Sequence, residues 1–200
     1  MTDSSPAGHN VCIALLHYPV YDKNRQVVTT AVTNLDIHDI ARAAKTFGLG
    51  RYYIVTPVEE QTKLVERVRA HWLEGWGATY NPKRRQALEL LTLSTGLDEV
   101  VADMENRYGS PPRLVMTGAK NRPNSISCDR FAQELRNPQQ CWLLVFGTGW
   151  GLTEEVMARA DLILEPIRGQ GEYNHLSVRS AVSILLDRLL GDRQAIYYKK

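Results

Sequence analysis

The chain has 200 residues, of which 44% are hydrophobic and 23% charged. This is the usage of an ordinary globular domain and excludes a disordered or collagen-like chain. The formal net charge of +2 is too small to predict nucleic-acid binding by itself, although Lys83, Arg84 and Arg85 form a local basic cluster.

Targeting and redox signals are weak in this sequence. It has no apolar run of about 18 residues, and the polar residues 1–10 do not resemble a signal peptide, which predicts a cytoplasmic protein without a membrane span. Cys12, Cys128 and Cys141 are widely spaced and form no CxxC pair, so reduced thiols and no metal site are expected. We expect one domain over residues 11–193, a disordered N-terminal tail over 1–10 and a polar tail over 194–200.

Short apolar segments alternate with helical patterns along the chain. Five of these segments predict strands, at residues 11–16, 51–57, 113–117, 142–146 and 162–167. Helices are predicted at 36–47, 59–74, 127–136 and 153–160, with two more inside 83–108 that are split near residues 95–96 and a final one after residue 174. Gly48 and Gly75 are placed as left-handed C-caps. The alternation predicts an α/β fold with a mostly parallel open sheet and helices on both faces.

The final helix is apolar around much of its circumference. Leu176, Ala181, Ile184, Leu185 and Leu189 contribute to this surface. Leu185 and Leu189 add apolar surface that a single domain of this size need not hide, so we expect a homodimer buried largely through this helix. Burial of the helix in its own domain is the alternative.

A glycine-rich turn follows the apolar segment 142–146. Gly147, Gly149 and Gly151 would let a ligand approach the backbone at the carboxyl end of a strand. The turn lacks the Lys-Ser/Thr ending of a P-loop and the GxGxxG spacing, and Glu154 and Glu155 follow it. These features favour a ligand that is not a polyphosphate, and a simple strand-to-helix turn is the alternative.

Two further polar segments stand out, at residues 33–42 and 173–178. In the first, Asp36 is placed to cap the helix, and Arg42 is a helical neighbour of His38 and Asp39, where a surface ion pair is the alternative role. In the second, Asn174 or Ser177 is placed to cap the final helix. Loops 117–119, 147–151 and 166–178 follow consecutive strands, so they are expected to line one crevice.

Three segments in this order resemble the motifs of SPOUT methyltransferases: DIHDIARAAKTFG, LVFGTGWGLTEEVMARADLILEPIRG and YNHLSVRSAVSILL. The resemblance implies an S-adenosylmethionine (SAM) dependent methyltransferase that acts on RNA, either tRNA or rRNA. It also implies a C-terminal trefoil knot, a homodimer in which the first motif faces the neighbour's cofactor, and no metal.

The resemblance assigns catalysis to Arg42, which would orient the acceptor. A carboxylate such as Asp36 or Asp39 could serve as the base if the acceptor is a ring nitrogen. The resemblance assigns the cofactor to Thr117, Gly118, Phe146, Gly147, Thr148, Gly149, Leu164, Pro166, Ile167, Gly169, Tyr173, Asn174, His175, Leu176, Ser177 and Val178.

The chain departs from the ribose-methylating pattern at two positions. Asp36 stands where asparagine is usual, and Gly149 stands where a glutamate is common. The acceptor therefore stays open between a ribose 2′-hydroxyl and a base nitrogen. A non-catalytic SAM-binding module associated with RNA or the ribosome is the second hypothesis, and a nucleotide-binding oxidoreductase is the third.

Overall fold

The computed structural model of the chain describes residues 10–192. The predicted tails therefore lie outside the described residues, apart from Asn10. The strands are β1 (Val11–Leu16), β2 (Val20–Tyr21), β3 (Val27–Val28), β4 (Arg51–Val55), β5 (Leu91–Ser94), β6 (Arg113–Met116), β7 (Trp142–Gly147) and β8 (Leu162–Ile163). The helices are α1 (Asn34–Thr46), α2 (Glu59–Leu73), α3 (Trp76–Tyr80), α4 (Pro82–Leu88), α5 (Leu97–Tyr108), α6 (Cys128–Glu134), α7 (Glu154–Met157) and α8 (Val178–Leu190).

Six strands form one parallel sheet in the order β5-β4-β1-β7-β6-β8. Alternate residues of β1 enter opposite faces, so that Ile13 joins the core beneath α1, α4, α6 and α8, and Ala14 joins the core beneath α5 and α7. The predicted α/β class, with a parallel open sheet covered on both faces, is confirmed. The trefoil knot stays a prediction.

The structure differs from the predictions at β5 and at Gly75. The region 83–108 does not contain two adjoining helices, because β5 lies between α4 and α5 and pairs in parallel with β4. A strand of four residues at the sheet edge is too short for a periodic signal to separate it from flanking helices. Gly48 has the predicted left-handed backbone, with φ of +72°, whereas Gly75, with φ of −86°, is the N-cap of α3.

The final helix is buried in its own domain. Leu185 is 3% exposed and Leu189 is 8% exposed, and both pack in the core with Val182 and Leu186. The expectation that Leu185 and Leu189 form surplus apolar surface is therefore wrong, because α8 lies between α1 and α6 and covers the sheet. The homodimer stays a prediction, but these two residues no longer support it.

A small antiparallel hairpin, formed by β2 and β3, lies outside the main sheet. It bonds to the glycine turn after β7, since Tyr21 N donates to Gly151 O at 2.9 Å and Trp150 N donates to Tyr21 O at 2.9 Å. The hairpin therefore fixes the outer side of this turn. Within residues 10–192, no helix is both long enough and apolar enough to cross a membrane.

Candidate functional site

The carboxyl ends of β7, β6 and β8 are adjacent in the sheet, and the loops that leave them meet there. Thr117 N donates to Val145 O at 3.1 Å, and Leu164 N donates to Met116 O at 3.0 Å. Further along, the Asn174 side-chain amide donates to Ala119 O at 2.9 Å. The segment after β8 therefore reaches the loop after β6, and the three loops lie together at the end of the sheet where the crevice is predicted.

The residues that the sequence assigns to the cofactor differ in their exposure. Thr117, Phe146, Leu164 and Pro166 are buried, Gly147, Thr148, Ile167, Asn174 and Val178 are half-buried, and Gly118, Gly149, Gly169, Tyr173, His175, Leu176 and Ser177 are exposed. The backbone N–H groups of Gly118, Ile167 and Leu176 have no hydrogen-bond acceptor within residues 10–192. Such groups can donate to the polar edge of a bound ligand, so these loops fit the cofactor implied by the resemblance.

The glycines serve two different purposes. A Cβ on Gly147 would lie 2.9 Å from the Leu152 backbone N, so this glycine is needed for packing of the turn itself. Gly149 has φ of +57°, and a Cβ there would lie 2.8 Å from the Tyr21 carbonyl oxygen, which excludes the glutamate common in the family. Gly118 and Gly169 instead face open space and leave room for a ligand.

A short hydrogen-bonded chain joins the glycine turn to the hairpin. The Thr148 hydroxyl lies 3.0 Å from Leu16 O and 2.5 Å from the Thr30 hydroxyl, which in turn lies 3.1 Å from His17 Nδ1. His17 is fully buried, its Nε2 has no partner within residues 10–192, and burial lowers its pKa to about 4. Its ring is therefore neutral at pH 7. Sequence reasoning missed His17, although a histidine directly after a buried strand was a signal.

Asp36 occupies a buried position at the start of α1. Thr33, and not Asp36, is the N-cap, since its hydroxyl accepts from Asp36 N at 3.2 Å. The same hydroxyl lies 2.6 Å from Asp36 Oδ2, and Arg179 at the start of α8 lies 3.3 Å from Oδ1. Both carboxylate oxygens are thus engaged. Sequence reasoning missed Arg179, which stands inside the third motif.

Arg42 lies on α1 with its side chain exposed. The predicted partner, Asp39, lies 3.4 Å from Arg179 Nε, and Arg42 has no carboxylate within salt-bridge distance among the described residues. No hydrogen bond of the described residues joins Arg42 to the crevice of the same protomer. Its guanidinium is therefore available to a ligand, and forked donors of this kind suit a phosphate or a ribose oxygen.

Glu154 lies beside the glycine turn between two arginines. Arg122 donates to both of its oxygens at 2.8 Å, and Arg25 lies 3.3 Å away. The hydrogen bonds from Arg122, with a smaller contribution from Arg25, lower the pKa of Glu154 to about 2. The negative charge of Glu154 at the start of α7 is therefore balanced by these two arginines.

A sequence model of the SAM-dependent RNA methyltransferase family matches residues 10–191. The chain belongs to this family. It is 44% identical over 180 residues to an uncharacterised protein of Aquifex aeolicus, covering 90% of this chain and 88% of that protein. It is also 44% identical to a tRNA (guanine-N(1)-)-methyltransferase of Oleidesulfovibrio alaskensis, covering 96% of this chain but only 44% of that relative.

Solved structures of low sequence identity share the fold of this chain. A probable methyltransferase from Bordetella pertussis has a TM-score of 0.62 and 20% identity, covering 92% of this chain and 95% of that structure. The TrmH/SpoU tRNA modifying enzyme of Aquifex aeolicus has a TM-score of 0.55 and 15% identity, covering 94% and 77%. The family makes the chain a SAM-dependent enzyme that acts on RNA.

Proposed function

We propose that this methyltransferase modifies tRNA at a ribose 2′-hydroxyl, with SAM held in the crevice after β6, β7 and β8. The observation that carries the proposal is the contrast between Asp36 and Arg42. Asp36 has both oxygens occupied by Thr33 and Arg179, which disfavours it as the base for a ring nitrogen. Arg42 is exposed and unpaired, as a group that positions a ribose or its phosphate should be.

The chemistry requires alignment more than activation. SAM, when bound, supplies a methyl group already activated by its sulfonium. The chain then has to orient the cofactor through backbone groups such as the Gly118 and Leu176 N–H, and to aim the acceptor oxygen in line. Arg42 aligns the acceptor, and Asp36 fixes Arg179 between α1 and α8. In this assignment Asp36 is a positioning residue, and proton removal falls to a group on the acceptor side.

We further propose that the enzyme works as a homodimer. Leu35 is 57% exposed beside the start of α1, and Leu176 is 45% exposed just before α8. The Arg179–Asp36 ion pair joins the two helix starts, and we place the contact with a second copy there because each start carries an exposed leucine. Arg42, which is not joined to its own crevice, would then serve the crevice of the partner. A cytoplasmic location also stays a prediction.

The test of the reaction uses radiolabelled SAM and tRNA purified from cells that lack the protein. Label that is recovered in 2′-O-methylated nucleosides, which resist alkaline cleavage of the RNA chain, supports the ribose assignment. Label in a base would replace it with the base-nitrogen alternative. SAM binding by calorimetry without any transfer would favour the non-catalytic module.

The test of the dimer is the molar mass in light scattering. The double variant Leu35→Lys with Leu176→Lys should give folded monomers, because charged side chains oppose an apolar interface. Leu185→Asp is no test, since Leu185 lies in the core and its replacement would unfold the protomer. A monomeric wild type at micromolar concentration would exclude the shared site.

A further inference from the structure

A groove of about 560 Å³ lies between α1, α2 and α4, away from the cofactor crevice. It is lined by Asn34, His38, Arg67, Val68, His71, Trp72 and Arg84. None of these residues is acidic, and two are arginines. The groove therefore presents positive charge and hydrogen-bond donors to whatever enters it.

Several polar groups in the groove have no partner of their own. Arg84 lies with its guanidinium 4.8 Å from the centre of the Trp72 ring, and its buried Nε has no acceptor within residues 10–192. The buried Nδ1 of His38 also lacks a partner there, and Arg67 has no carboxylate within salt-bridge distance among the same residues. By contrast, nearby Lys63 pairs with Glu59 on the outer face of α2. Apart from the contact of Arg84 with the Trp72 ring, the groove cations have no partner among the described residues and are available to a ligand.

An exposed aromatic pair lies next to the groove. Trp76 and Tyr80 on α3 stack with ring centres 4.4 Å apart, although each is more than two-thirds exposed. Helix α3 packs on the groove wall, because a Cβ on Gly77 would lie 2.8 Å from the Trp72 ring and 3.0 Å from the His71 ring. Large exposed aromatic faces beside unpaired cations are typical of surfaces that bind unpaired nucleotides.

We propose that this surface, formed by the groove and the Trp76–Tyr80 pair, binds a single-stranded or looped segment of the RNA substrate. Arg67 and Arg84 contact backbone phosphates in the groove, and Trp76 and Tyr80 stack with an unpaired base beside it. His38 in the groove and Arg42 are one helical turn apart on α1, so the bound strand continues toward the acceptor position. The inference rests on the proposed function, since it assumes an RNA substrate.

The decisive experiment compares two charge reversals on the same helix. Arg67 lines the groove, whereas Arg69 is also exposed but does not line it. Fluorescence anisotropy with labelled total tRNA and with a short labelled oligouridylate should show at least tenfold weaker binding for Arg67→Glu, and a salt slope smaller by about 1. Arg69→Glu should change the affinity less than about twofold, although its net charge is the same.

The aromatic pair is tested with the oligouridylate alone. Trp76→Ala and Tyr80→Ala should each weaken binding about fivefold or more, as loss of base stacking does. Tyr80→Phe keeps the ring and should bind as the wild type does. Calorimetry should show unchanged SAM affinity in every variant, and light scattering an unchanged mass.

Three outcomes would contradict the proposal that this surface binds RNA. Equal losses in Arg67→Glu and Arg69→Glu would reduce the effect to net charge. A change of mass in Arg67→Glu would make the groove a contact between protomers. Normal methylation and RNA affinity in Arg67→Glu would exclude the groove while leaving the proposed function intact. A wild type that binds RNA at this surface but transfers no methyl group would have the opposite meaning, because only the proposed function would fail.

Discussion

The proposed cofactor crevice and the proposed acceptor side of the molecule are built from different parts. In the crevice, chain segments bond to one another through backbone atoms, as Leu164 does with Met116, and glycines leave space. On the acceptor side, α1 and the groove present long side chains such as Arg42 and Arg67, for which residues 10–192 supply no carboxylate partner. A pocket for one small cofactor can be rigid and built from backbone, whereas a surface for RNA needs cations left free for phosphates.

The largest expected effect is on the acceptor side, at Arg42. Arg42→Ala should reduce methyl transfer about 100-fold, because a group that aligns or stabilises the reacting centre is lost. SAM affinity and the melting temperature should stay near the wild-type values, since Arg42 has no internal ion pair. Arg69→Ala is the matched control, with one exposed arginine removed elsewhere. A wild-type rate for Arg42→Ala would move the acceptor site away from α1.

The stability of the folded protein should depend on pH through His17, which belongs to the hydrogen-bonded chain beside the glycine turn. Its pKa is lowered from 6.5 to about 4, so the unfolded chain binds the proton more tightly than the folded chain. The stability is therefore complete above pH 6.5 and is lost as the pH falls toward 4, by about 2 kcal/mol at pH 5.

Urea unfolding at pH 7.5 and pH 5 measures this loss. His17→Gln should flatten the difference between the two pH values, whereas His175→Gln, at an exposed position, should leave it unchanged. If His17→Gln loses as much stability between pH 7.5 and pH 5 as the wild type does, His17 does not carry the pH dependence.

The crevice itself is tested by adding a side chain where the structure has space. A Cβ added at Gly118 would have no atom within 4 Å, so we expect Gly118→Val to fold normally. The added methyl groups would occupy the ligand space, and calorimetry should show SAM affinity weakened at least tenfold, or about 1.4 kcal/mol. Gly147→Val does not give this information, because its Cβ would strike Leu152 and destabilise the turn. Unchanged SAM affinity in Gly118→Val would exclude the loop after β6 from the site.

The smallest expected effect concerns Asp36. Asp36→Asn, which introduces the residue usual in the family, keeps a hydrogen-bond acceptor for Arg179 and leaves Arg179 paired with Asp39. We expect a loss of about 1 kcal/mol in stability and less than about threefold in turnover. A hundredfold loss of turnover in a stable Asp36→Asn protein would instead identify Asp36 as the base.

Local patterns predicted much of the fold, and the errors have physical causes. The long apolar strands and the α1 and α2 periodicity were readable because burial on a sheet or helix face imposes a repeat on the sequence. The edge strand β5 was missed because its pairing with β4 is decided by contact with a distant segment. The prediction that Leu185 and Leu189 form an interface was wrong because a helical pattern shows that a face is apolar but does not show which part of the protein covers that face.

The sequence by itself determined the parallel α/β architecture, the glycine-rich turn at Gly147 and the family, since each depends on residue types at short spacing. Only the tertiary structure decided which polar side chains bond to other residues of the chain and which remain available to a ligand. It joined Arg179 to Asp36 across 143 positions of the chain, and within the described part of the chain it left Arg42 and Arg67 without ion-pair partners. Ion pairs between distant segments depend on how helices dock, and that geometry is set by packing of the whole core.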